Sequence, residues 1–225
     1  MRLALSLLFF FIIVTPAETA SDHILRLFES HYSSAQTLQA RFLERYLENG
    51  RVVRVEAGDA YFLRPGKMRW DYAAPEKNTF LVDGKYVWFY SPADHTVTRM
   101  PTKRSEDWRT PLAFLTTHMK LSHLCSKVEV ADAKPALPAD SVFRCELRES
   151  SDSTAFPARS VSFELSPEGE LGRIVIPQEG GIELEFSFTG WRWNPTLEPA
   201  VFQFKPPPDT VIVEGMLPNT PGLRQ

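Results

Sequence analysis

The chain is poor in the residue types that most often carry chemistry. It has two cysteines and five histidines among 225 residues. It also lacks a Gly-x-Ser-x-Gly elbow, a phosphate loop and a dinucleotide fingerprint, so no nucleophile, base or phosphate cradle stands out. His118, His123 and Cys125 lie close together in no common zinc spacing, and partly exposed histidines after a helix are the simpler reading. Glu183 and Glu185 alternate along a strand, where a solvated outer face is expected rather than an acid–base pair. No catalytic residue, metal site or cofactor is expected, with a hydrolase acting on lipids as the alternative from another class. The formal charge of −3 comes from interspersed signs and leaves no basic stripe, which argues against nucleic acid and against electrostatic binding to a membrane surface.

Long hydrophobic runs are missing too, apart from Leu3 to Val14. That run follows Arg2, precedes Thr15-Pro16-Ala17, and falls well short of the roughly 20 apolar residues of a spanning helix. It has the layout of a signal peptide over residues 1–20, cleaved after Ala17 or Ala20, with an N-terminal anchor as the alternative. No cysteine lies near either site, so a lipid-modified N-terminus is excluded, and the mature chain is expected to be exported and freely soluble. No linker divides the rest, which is read as one domain over residues 21–216 and a loose tail over 217–225. In an oxidising compartment Cys125 and Cys145 usually bridge, which would add about 3 kcal/mol in the chain-entropy model. A redox role would need a Cys-x-x-Cys spacing that is absent, and two reduced buried thiols are the remaining possibility.

Ser21-Asp22 can cap a helix running to about Ser33, on which Ile24, Phe28 and Tyr32 recur at four-residue spacing. From Leu38 the period becomes two. Leu38, Ala40 and Phe42 lead to an Asn49-Gly50 hairpin signal, and Val53, Val55 and Ala57 continue beyond it. Strands follow around Met68, Phe80 to Val82, Tyr86 to Tyr90 and Thr96 to Met100. Thr110-Pro111 opens a short helix to about Met119, whose Leu112, Phe114, Leu115 and Met119 are too many for an isolated surface helix. Alternation returns over Val142 to Leu147, Val161 to Leu165, Leu171 to Ile176 and Ile182 to Phe188, and Val211 to Val213 offers an edge strand. Some ten to twelve strands, two helices and no βαβ alternation predict a strongly curved antiparallel sheet. A sheet that large encloses space needing an occupant or a lid.

The most informative stretch is Arg64-Pro65-Gly66-Lys67-Met68-Arg69-Trp70-Asp71-Tyr72. As a strand it puts Met68, Trp70 and Tyr72 on one face and the charges on the other. Arg64 sits at a rim where its five donors could collect backbone carbonyls, although Pro65-Gly66 interrupts the alternation and leaves its direction open. With the Asp83-Gly84-Lys85 turn and Trp88-Phe89-Tyr90, these residues resemble the periplasmic outer-membrane lipoprotein carrier family (LolA type). The likeness extends to Thr110-Pro111 and to Phe202-x-Phe204 before the prolines. It implies a mainly β fold, an incomplete barrel of about 11 strands closed by a helical lid.

The resemblance further implies a non-enzymatic periplasmic chaperone, expected as a monomer. Its apolar cavity would hold acyl chains of lipoproteins against Tyr32, Phe42, Met68, Trp70, Phe80, Trp88, Tyr90 and Phe186. Ile24, Phe28, Leu112, Phe114 and Leu115 would belong to the lid helices, and Arg64 would hold the lid closed through backbone carbonyls. The implied donor is an ATP-driven inner-membrane release complex and the implied acceptor an outer-membrane receptor lipoprotein. A carrier or sensor of another lipid or glycolipid on the same fold is the alternative. Met68 stands where many relatives have Phe, and the Ala131 to Asp140 connection is less typical of the family.

Overall fold

Period-two alternation yields twelve strands among the described residues of the computed structural model, which are 19–102, 112, 115, 116, 120–148 and 158–215. They are β1 (Thr37–Glu48), β2 (Arg51–Leu63), β3 (Lys67–Ala74), β4 (Thr79–Val82), β5 (Tyr86–Ser91), β6 (Thr96–Pro101), β7 (Cys125–Val130), β8 (Ser141–Leu147), β9 (Ser160–Leu165), β10 (Leu171–Pro177), β11 (Ile182–Trp193) and β12 (Val211–Glu214). One sheet takes them all, in the order β12-β6-β5-β4-β3-β2-β1-β11-β10-β9-β8-β7. Each neighbouring pair is antiparallel except β12 with β6, which is parallel and corrects the all-antiparallel expectation. The sheet is open, with β12 and β7 outermost.

Its curvature can be read from ring contacts. Strands β3 and β11 are separated by β2 and β1, a path of about 14 Å at the usual strand spacing. Even so, the ring centroids of Trp70 on β3 and Phe186 on β11 are 5.6 Å apart, so the sheet curls until its inner faces meet. Asn49 and Gly50 turn the β1–β2 hairpin with φ of 50° and 78°, the pair of positive values that a two-residue turn of matching twist requires. At the middle of β2, the missing side chain of Gly58 decides the packing. A Cβ there would stand 2.0 Å from the Asp71 carbonyl oxygen and 3.0 Å from the Phe42 ring.

Helix α1 (Ala20–Ser34) precedes the sheet and buries Phe28 and Tyr32 against it, with Ile24 and Leu25 partly buried beside them. Its cap is Thr19, not Ser21. Thr19 and Asp22 form a reciprocal capping box, satisfying amides that the first turn leaves without partners. Signal cleavage after Ala17 would preserve that box and cleavage after Ala20 would remove it. The expected mid-chain helix falls largely outside the described residues, Phe114 included. Leu112, Leu115 and Thr116 are described, lie in 3-10 turns and are buried. A second helix that the pattern did not announce, α2 (Leu121–Leu124), is one turn long and leads directly into β7. No helix among the described residues is long and apolar enough to cross a membrane.

The hairpin strand β2 acquires a defined inner face, and Glu185, expected on a solvated outer face, lies on the outer face but is buried. Val53 and Val55 point outward, 53% and 45% exposed, because Arg54 and Glu56 take the inner positions near the hairpin. Glu185 is buried, in an ion-pair ladder on the outer face that runs from Arg45 through Glu185 and Arg173 to Glu164. Glu164 Oε1 also accepts from the amides of Ala136 and Leu137 at 2.7 and 3.2 Å, which fastens the β7–β8 connection over that face.

Cys125 and Cys145 form a disulfide across the β7–β8 pair, buried and 20 residues apart in sequence. Replacing both by alanine is expected to lower stability by about 3 kcal/mol, read as a reduced urea midpoint. A midpoint unaltered by the substitution would show that β7 is held by its ladder alone.

Candidate functional site

Alternation on β1, β2, β3 and β11 delivers one continuous apolar wall. Leu38, Ala40 and Phe42 come from β1, Ala60 and Phe62 from β2, Met68 and Trp70 from β3, and Phe186 and Phe188 from β11. Trp70 is at the centre and fully buried. Its ring lies 4.7 Å from Phe42, 5.9 Å from Phe62, 5.6 Å from Phe186 and 6.0 Å from Phe188, all edge-on. Edge-to-face pairs of this kind add about 0.5–1.5 kcal/mol beyond the area they bury. At the middle of the wall these rings touch one another. Hollows of about 400 and 510 Å³ flank α1, lined chiefly by Arg26, Glu29 and, respectively, Leu121 and Lys120.

The cover is α1. Phe28 stacks 6.2 Å from Phe163, and Tyr32 meets Trp191 and Trp193 edge-on at 5.3 and 4.7 Å. The Tyr32 hydroxyl accepts from the Leu171 amide at 3.1 Å. Burial pushes its pKa well above the usual phenol value, opposed in part by that bond. Trp191 turns inward because β11 shifts register where it passes Gln39 and Arg41, with Gly190 at φ 66°. A glycine inside a strand is the sequence signal for such a bulge.

Arg64 settles the direction that its turn left open. It is 5% exposed, and its Nη1 donates to the Ala35 carbonyl at 2.5 Å while Nη2 donates to the Leu115 carbonyl at 3.4 Å. Adjacent backbone repeats the pattern, with Arg64 N bonded to Gln36 O and Gly66 N to Thr116 O, each at 3.0 Å. One turn thus ties the end of α1 to Leu115 and Thr116. Burial lowers the arginine's pKa, yet a guanidinium stays charged in proteins, so these carbonyls serve a buried cation. A second tie runs from α1 itself, where Glu29 Oε1 accepts from the Leu121 amide at 2.6 Å. That amide opens α2, whose preceding Lys120 provides no side-chain cap.

Of the residues proposed from sequence, Tyr32, Phe42, Met68, Trp70, Phe80 and Phe186 share the main core with Phe28, Leu112 and Leu115, and Ile24 packs at its margin. Trp88 and Tyr90 do not. They belong to a second cluster with Leu81, Val97 and Phe202, where Trp88 stacks on Phe204 at 5.2 Å. Val87 and Phe89 take the inward positions of β5 instead. Five successive large residues from Tyr86 to Tyr90 hid which face was which. Glu44 and Glu29 were missed, although Glu44 between Phe42 and Tyr46 is a charge on an apolar face and could have been noticed.

Glu29→Ala is expected to cost about 1–2 kcal/mol and to accelerate hydrogen exchange at the Leu121 amide while leaving that at Gly66 unchanged. Equal acceleration at both amides would mean that the two ties open as one.

Comparison with known proteins agrees with this architecture. The family model described as "Outer membrane lipoprotein carrier protein LolA" matches residues 33–205. An outer-membrane lipoprotein carrier protein of Xanthomonas axonopodis pv. citri (strain 306) is 30% identical over 171 residues, covering 75% of this chain and 78% of that one. Its counterpart in Methylococcus capsulatus is 30% identical over 199 residues, covering 88% and 89%. Among solved structures, an uncharacterized conserved protein of Thermus thermophilus superposes with a TM-score of 0.52 at 14% identity, covering 88% of this chain and all of that one; this likeness speaks to the fold alone. With the family model spanning most of the sequence, the chain belongs to the LolA family of outer-membrane lipoprotein carrier proteins.

Proposed function

We propose that this protein is a periplasmic carrier that takes the acyl chains of lipoproteins against its inner wall and ferries them from the inner membrane to the outer one. The donor in this reading is an ATP-driven release complex and the acceptor a receptor lipoprotein. The task is defined by hydrophobic transfer. Each methylene exposed to water costs about 0.8 kcal/mol, so a chain of a dozen or more is held in its membrane by about 10 kcal/mol. A surface that replaces the membrane interior during the crossing removes most of that barrier without any bond being made or broken. The role is that of a chaperone, not a catalyst.

The observation that carries the reading is the buried Arg64 guanidinium, donating to carbonyls of both segments that cover the inner wall. Trp70 touches four rings in the closed arrangement, so an acyl chain laid along the wall parts it from neighbours as the cover lifts. Closing the cover restores the Arg64 bonds and the ring contacts, and both then compete with the cargo. Affinity is thereby kept moderate, and a receptor that binds acyl chains more tightly draws them onward.

Arg64→Leu removes one side of this competition. The variant should still load acylated lipoprotein but pass it to a receptor-bearing outer-membrane fraction at least tenfold more slowly than wild type. Transfer at the wild-type rate would refute competition between cover and cargo.

A further inference from the structure

The inner wall does not stay apolar along its whole length. Toward the β1–β2 hairpin the inward positions after Phe42 are Glu44 and Tyr46 on β1, with Glu56 and Arg54 on β2 and Tyr72 on β3. Glu44 is only 1% exposed. Its Oε2 accepts from the Tyr72 hydroxyl at 3.0 Å, and its Oε1 lies 3.9 Å from Arg54 Nη2. The Arg54 Nε in turn is 3.2 Å from Glu56 Oε2, and its guanidinium covers the Tyr46 ring at 5.6 Å. Two carboxylates, one guanidinium and two phenols therefore line the hairpin end on β1, β2 and β3, beside the apolar Phe186 and Leu184 of β11, while Arg64 and the covers close the other. Between them the apolar positions of β1 run from Leu38 to Phe42, about 14 Å at the usual rise of a strand.

We infer that the Glu44 layer is the floor of the binding site and sets the longest acyl chain the protein accommodates. The inference rests on the acyl-carrier reading and adds to it a specificity-determining residue. Hydrocarbon pressed against Glu44 would displace the Tyr72 and Arg54 contacts and strip hydration from charges it cannot replace. A chain entering beneath the covers gains from every methylene laid on the wall as far as Phe42 and gains nothing beyond. The charged layer thus acts as a ruler, and its length is set by where along β1 the first inward carboxylate falls.

Lipopeptides differing only in acyl length supply the test. Affinity for wild type should rise about fourfold per added methylene and then level off at a break point. In Glu44→Leu, which extends the apolar column to Tyr46 and leaves Arg54 paired with Glu56, the rise should continue to longer chains. Glu44→Gln keeps a polar group there and should hold the wild-type break point. The same break point in wild type and Glu44→Leu would overturn the ruler. No dependence on chain length in any of the three would instead overturn the carrier reading beneath it. Should Glu44→Leu fail to fold, a photoreactive group at the acyl terminus settles the matter on wild type. Labelling confined to residues such as Ala40, Phe42 and Phe62 supports a floor at Glu44, and labelling of Tyr46 or Leu184 contradicts it.

Discussion

A sheet of twelve strands that curls without closing has a concave face that neither water nor its own edges can cover. Apolar residues on that face must be met by something, and in this chain they are met by each other at the centre and by helix α1, Leu112 and Leu115 at one end. The contact of Trp70 with rings from β1, β2 and β11 follows from this constraint, as do the buried Phe28 and Tyr32 on the cover. Burial of a large side chain is worth about 1.5–3 kcal/mol, so covering and uncovering this wall exchanges substantial hydrophobic free energy. In the proposed function an acyl chain, which offers surface of the same kind, competes for the place of the cover.

Arg64 gives this exchange a defined geometry. Hydrocarbon packing alone is tolerant of small displacements, whereas a buried cation bonded to two backbone carbonyls is not. Its acceptors lie on two different segments, so neither can move without leaving the guanidinium short of a partner. Glu29 links α1 to α2 on another side. The cover is therefore fastened by polar bonds to backbone, which depend little on neighbouring side chains, while its underside contributes only apolar contact. Specificity of position and tolerance of content are divided between two kinds of interaction.

Much of this was legible in the sequence, and the exceptions have physical causes. The alternation of Met68, Trp70 and Tyr72 against Lys67, Arg69 and Asp71 identified an inner face because charge and bulk were cleanly separated. The same logic located Phe42 and Phe186. It failed for Tyr86 to Tyr90, where both faces of β5 are apolar because a second cluster with Phe202 and Phe204 covers the outer one. It did not say which face Val53 and Val55 take, since β-branched residues suit a strand on either face and the inward polar residues belong to the Glu44 layer. Thr19 was overlooked as the cap because the helix was begun two residues too late. Nor could composition foretell that β12 would join parallel to β6 or that the aromatic wall would close on itself. Both depend on how far the sheet curls, which is a property of all the strands together.

The two aromatic faces make the central claim directly measurable. The chain has five tryptophans, of which Trp70 lies at the centre of the inner wall and Trp88 in the outer cluster. A lipopeptide carrying a spin label near the end of its acyl chain, added to protein with isotope-labelled indoles, should broaden the Trp70 N–H resonance and leave that of Trp88 sharp. Broadening of Trp88 with Trp70 unaffected would place the hydrocarbon on the outer face and contradict the account.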